Sequence, residues 1–235
     1  MKKQRLSRLL LAVNILLIAA VCVLNYIYQS HGFNYALKCR ASGCFAALAV
    51  INFLWALWAD RKHWKLHLLL CLGLLLAWRG DLAINHDFVT GAAIFAAGHV
   101  FLVAGYCVAQ PLRRGDWLFT LPVMAFSLGF LLFYPYLFFG DAIRRAACFI
   151  YAVIISCMLG KAAGNFLRRP KLFEGLLAVG SVLFFFSDFM LLLHWFVGKW
   201  SWTDNACMAT YYPAVCLLAL AMYVKTTEKK QTFTQ

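Results

Sequence analysis

Two aspartates, Asp81 and Asp188, stand inside long apolar stretches of this chain; around Asp188 run Leu183, Phe184, Phe185, Phe186 and Ser187 on one side and Phe189, Met190 and Leu191 on the other. A carboxylate near the middle of a membrane helix costs about 2.5–3.5 kcal/mol on insertion scales, so such a residue marks chemistry or ion handling more often than packing. Two carboxylates in apolar surroundings can divide proton work, one keeping its proton and the other staying charged. On the fourth apolar stretch Gly91, Phe95, His99 and Tyr106 follow at spacings of four and seven, which is one helical face. His99 and Tyr106 are thus candidate supporting groups, as are Tyr151, on a face with Met158 and Ala162, and Ser187 beside Asp188. Asp87 follows His86 in a tight turn and reads as a helix cap.

These residues require helices that cross a bilayer to position them. With 64% hydrophobic and 13% charged residues, the 235-residue chain lacks the polar surface to cover a soluble core, and an integral membrane protein is expected. The net charge of +13 is spread in short clusters between apolar runs, which argues against nucleic acid as a partner and for topology signals. At about 20 residues per span, the hydropathy predicts eight: 6–28, 41–59, 66–85, 88–109, 117–139, 144–163, 174–196 and 205–224. The fold class expected is all-α, a polytopic bundle of eight transmembrane helices in a single domain over residues 1–235, because the connections are too short to hold another.

Sixteen of the 22 Lys and Arg residues fall at the ends shared by the two termini, and six (Lys38, Arg40, Arg79, Arg144, Arg145 and Lys199) at the others, so both termini are expected in the cytoplasm. Spans three and seven then run the same way, and Asp81 and Asp188 rise to a similar depth, roughly 21–23 Å from the boundary. They are expected to face each other. Gly80-Asp81 and Ser187-Asp188 occupy corresponding spans of the two chain halves, the pattern of a four-plus-four repeat. Pro135 marks the end of the fifth span and Pro213 interrupts the eighth. Seven of the nine cysteines lie within spans and read as small hydrophobes; no metal site and no cofactor is expected.

Taken in order, Gly80-Asp81, Phe88, Gly91, Phe95, His99 and Tyr106, then Tyr151 to Met158, then Gly180, Phe184 and Ser187-Asp188 resemble the lysoplasmalogenase family of membrane proteins, also described as YhhN-like or TMEM86-like. The likeness runs over spans three to eight. It implies a multi-pass hydrolase that cleaves the vinyl ether bond of alkenyl lysophospholipids, releasing a fatty aldehyde and a glycerophospho-base, with Asp81 and Asp188 as the catalytic pair. On this reading Asp188 is the acid, Asp81 the stabiliser or base, and Arg79 and Lys38 meet the headgroup. The partners expected are a lysophospholipid substrate and membrane lipids. The rival class is a proton-coupled transporter or carrier using the same aspartates.

Overall fold

In lipid every backbone N–H and C=O must be satisfied within its own segment, so an apolar chain without closed strands can only form helices. The computed structural model describes residues 2–31 and 34–228. Eight α-helices are present among the described residues: α1 (Lys2–His31), α2 (Tyr35–Ala59), α3 (Trp64–Ala83), α4 (Phe88–Ala109), α5 (Trp117–Phe133), α6 (Ala142–Arg168), α7 (Leu172–Phe196) and α8 (Ser201–Glu228). All eight are long and apolar enough to span a bilayer. No strand occurs among the described residues.

Local chemistry sets the helix ends. Asn34, Asp87 and Asp141 each accept a backbone N–H three residues on, from Leu37, Thr90 and Arg144, which satisfies an otherwise orphaned donor of the first turn. The hydrogen bonds from Thr90 also hold the Asp87 carboxyl below the usual carboxylate range. α5 stops at Phe133, six residues before the expected end of its span, because Pro135 drives Tyr134 into an extended conformation. The chain beyond it folds back, Phe138 N–H donating to the Phe196 carbonyl at 2.9 Å, and Gly140, at φ 78°, makes the left-handed turn that leads into the Asp141 cap.

α2 begins six residues earlier than its apolar run. Lys38 therefore sits inside the helix, where sequence reading had placed it in a loop. Hydropathy weighs residues singly, whereas Lys38 enters the bundle only because a carboxylate awaits it. Lys161 is a parallel case on α6: it counts as a basic residue at one end in the charge tally, yet it is buried with its ammonium 3.0 Å from Asp116.

Neighbouring helices in sequence pack as hairpins except α4 and α5, which α6 separates; α8 lies at the centre against α1, α2, α3 and α7, with α6 joining α4, α5 and α7. α1 and α8 are antiparallel: Ser7 meets Tyr223 near the chain ends, and Tyr28 donates to Asp204 at the opposite end. The start of α1 and the end of α8 thus share one face of the bundle, called here the terminal face. α1 and α5 are the least buried spans.

Two seams bring backbones into close approach. At the α3–α4 seam, a Cβ on Gly73 would stand 2.9 Å from the Gly98 carbonyl oxygen. At the α5–α6 seam, a Cβ on Gly160 would stand 2.6 Å from Thr120 Cα. Small residues at such crossings let membrane helices gain dispersion contacts that lipid would otherwise supply. Gly160→Ala must push α5 from α6 and is expected to cost about 1–3 kcal/mol, read as a lower midpoint of unfolding in detergent. Gly129→Ala on α5, where a Cβ meets nothing within 4 Å, is the control and should leave that midpoint unchanged or raise it.

Candidate active site

Asp188 lies on α7, one turn beyond Phe184, in the half of the bundle away from the terminal face. Its Oδ2 receives the Tyr151 hydroxyl of α6 at 2.6 Å and lies 3.2 Å from His99 Nε2 of α4. Tyr151 Oη and His99 Nε2 are themselves 3.1 Å apart, closing a triangle of three helices. The His99 ring is fully buried, edge-on to Phe184 with centroids 4.6 Å apart, and its Nδ1 has no partner among the described residues. Both partners of Asp188 are amphoteric. The Tyr151 hydroxyl can turn to give or take a hydrogen bond, so Asp188 keeps a partner whether or not it holds a proton.

Asp81 on α3 has partners of a different kind. Lys38 Nζ of α2 lies 2.9 Å from its Oδ1, and Ser42 Oγ donates to its Oδ2. Lys38 also donates to Asn85 Oδ1 at 3.1 Å, and the Asn85 amide returns to the Asp81 carbonyl at 2.8 Å. Ser42 Oγ is 3.2 Å from the Tyr212 hydroxyl of α8. An ammonium only donates, so this carboxylate is committed to a fixed charge pair. Lys38 is 4% exposed and Asp81 2%.

The two carboxylates share a level, yet they do not meet. Among the described residues no hydrogen bond joins their clusters. Aromatic rings stand between: Tyr211 lies edge-on to Phe95 and Phe184, with centroids 6.0 and 5.4 Å away, and its hydroxyl donates to the Ala77 carbonyl one turn before Asp81. The facing pair expected from helix depth is therefore two half-sites across an aromatic layer, because depth along an axis leaves the rotation about that axis open.

A largely apolar cavity opens between α4, α5, α6 and α7 on the Asp188 side. Asp188, Tyr151 and Ser127 are its polar lining, with Phe88, Phe95 and Phe189 among the apolar walls. Asp81 does not line it.

The other residues singled out in the sequence lie apart. Tyr106 shares the His99 face but sits two turns toward the terminal face, its hydroxyl 3.0 Å from Ser181 Oγ. Ser187 points away from its neighbour, 3.4 Å from Cys207 Sγ. Lys38 is buried on Asp81 and not at the interface where it was expected to meet a phosphate. Arg79 is exposed over the Trp78 ring, 5.6 Å from its centroid, and borders an open basin with Tyr35, His86 and Asp87. Sequence reading missed Ser42, Asn85, Tyr211 and Tyr212. Two of these carried a signal, since Ser42 is four residues from Lys38 and Asn85 four from Asp81, the spacing of one helical face.

Removing one member of the Asp81 and Lys38 pair leaves a buried uncompensated charge. Asp81→Leu is expected to lose about 3–5 kcal/mol of stability. Lys38→Met combined with Asp81→Leu should recover most of that loss, as measured by unfolding in detergent; equal losses in the single and double variants would refute the pairing.

The YhhN family model matches residues 33–222, a range that contains every member of both clusters and all six lining residues named above. No curated protein and no solved structure gives a significant match. With the family model covering most of its eight-span bundle, the chain belongs to the YhhN family, multi-pass membrane proteins that include the lysoplasmalogenases and are associated with hydrolase activity.

Proposed function

We propose that this chain hydrolyses the vinyl ether bond of alkenyl lysophospholipids, giving a fatty aldehyde and a glycerophospho-base. One observation carries the reading: the carboxylate that lines the apolar cavity, Asp188, is held by two partners that can each give or take a hydrogen bond. Family membership supports the same class of reaction.

The alkenyl chain lies along the cavity with its vinyl ether at Asp188. Protonated Asp188 delivers its proton to the β-carbon; the double-bond electrons form the new C–H bond and leave an oxocarbenium ion stabilised by the ether oxygen. The Asp188 carboxylate now faces the cation and stabilises it, as carboxylates do beside the cations of glycoside hydrolysis. Water adds to the carbon and its proton passes to Asp188, restoring the acid. The hemiacetal then collapses: its hydroxyl becomes the aldehyde carbonyl, and the C–O bond to glycerol breaks as that oxygen takes a proton. Tyr151 and His99 hold Asp188 through both protonation states.

Asp81 takes a different part from the one its sequence context suggested. Committed to Lys38 behind the Tyr211 ring, it acts as a positioning residue that fixes the wall of the site and its local potential. Ser187 and Tyr106 support helix packing in this scheme. In this scheme Arg79, across the α3–α4 turn from the cavity wall at Ile84 and Phe88, meets the headgroup phosphate.

Asp188→Asn should lower aldehyde release from an alkenyl lysolipid in micelles by roughly 10²–10⁴-fold, with the melting temperature retained; full activity in that variant rejects the assignment. Tyr151→Phe should lose about tenfold. Alkyl and acyl lysolipids, which form no such cation, should release no aldehyde. Solute uptake into proteoliposomes without any lipid hydrolysis would instead support the proton-coupled carrier.

A further inference from the structure

The Asp188 cavity has a thin wall on the side of α5. No Cα of α5 comes within 8 Å of one of α7, although both helices line the cavity. α5 is held to the bundle through α6: by the glycine seam at Gly160, and by Asp116 at its start, which pairs with Lys161 and Arg168 of α6. The space between α5 and α7 is spanned by side chains alone. Phe189, next to Asp188 in sequence, packs on Phe130 and Phe126 with ring centroids 4.9 and 5.8 Å apart. Phe189 and Phe130 both line the cavity, while Phe126 is 55% exposed on the outer surface of the bundle.

A second observation falls on the same face of α5. Phe126, Gly129, Phe130 and Phe133 follow at the three-and-four spacing of one helical stripe. At Gly129 a Cβ would meet nothing within 4 Å. The stripe that faces Phe189 thus contains a notch one turn before the end of α5, beside the rings that close the gap.

We propose that the α5–α7 seam is a lateral portal through which one hydrocarbon chain passes from the bilayer into the Asp188 cavity, with the Phe189 ring as its leaf. Rotation of one aromatic side chain opens such a passage, and no helix has to leave its neighbour. The gap left by one ring admits a single chain, so the portal selects single-chain amphiphiles over two-chain lipids. The apolar exterior of α5 delivers the tail, and the head of that chain, where it joins the glycerol, comes to rest at Asp188 while the phosphate stays outside the cavity. This inference rests on the proposed function for the identity of the amphiphile and not for its route.

The test uses a probe that is not hydrolysed: a 1-O-alkyl lysophosphocholine with a diazirine in its tail, photolysed with the full chain in liposomes and mapped by peptide mass spectrometry. Label is expected on the α5 and α7 segments around Gly129 and Phe189. Gly129→Trp fills the notch and should cut labelling of the cavity by roughly tenfold or more, as overpacking a closed passage does. Gly129→Leu should give a smaller cut in the same direction. Phe189→Ala should speed labelling and admit a two-chain phosphatidylcholine carrying the same diazirine. Cavity labelling that both Gly129 variants leave unchanged, in protein with wild-type melting temperature, overturns the portal. So does label that enters only beside α4. Because the probe has no vinyl ether, portal-dependent labelling without aldehyde release from the alkenyl lipid would uphold the portal while the hydrolase reading fails.

Discussion

An ionised side chain inside a bilayer is tolerated only where other helices bring it partners, and that requirement orders this bundle. Apolar faces do not choose among neighbours in lipid, since a leucine against hydrocarbon is as content as a leucine against leucine. Polar contacts do choose. Asp81 with Lys38 and Ser42 ties α3 to α2; Asp116 with Lys161 and Arg168 ties the start of α5 to α6; Asp188 with Tyr151 and His99 ties α7 to α6 and α4. Each of these links is worth less as net stability than as a statement of which helices belong together.

The same rule separates the two aspartates by function. Partners that only donate, such as an ammonium, hold a carboxylate in one state. Partners that can reverse their hydrogen bonds allow it to change state without orphaning a buried atom. Lys38 fixes Asp81 in the first way, Tyr151 serves Asp188 in the second, and of the two carboxylates only Asp188 reaches the cavity. In the proposed reaction a proton must leave a side chain and return to it, so the chemistry belongs with the reversible set.

Two kinds of helix contact coexist around that cavity. Glycine seams press α3 on α4 and α5 on α6 until backbones nearly touch. The α5–α7 boundary is the opposite, closed by rings and notched at Gly129. The aromatic layer of Phe95, Phe184 and Tyr211 that backs the site is, by contrast, buried and mutually packed edge-to-face. A rigid back wall and a side closed by one layer of side chains suit a cavity that must hold a tail and also let it in.

The sequence by itself determined the number of spans, their approximate limits, the all-helical class and the two intramembrane acids, because each follows from how single residues or local runs partition between water and lipid. His99 was legible too, through its place on a face of small and aromatic residues. The partners were not. Helical periodicity places residues on a common face but leaves open which neighbour that face meets and how the helix is turned, so a shared depth for Asp81 and Asp188 was read as a meeting. Tertiary packing set α8 between α3 and α7 and brought Tyr211 into the space between the carboxylates. It also drew Lys38, on sequence grounds a cation for the interface, into the core. Burial of a charge depends on a partner from a distant part of the chain, and no local window contains both.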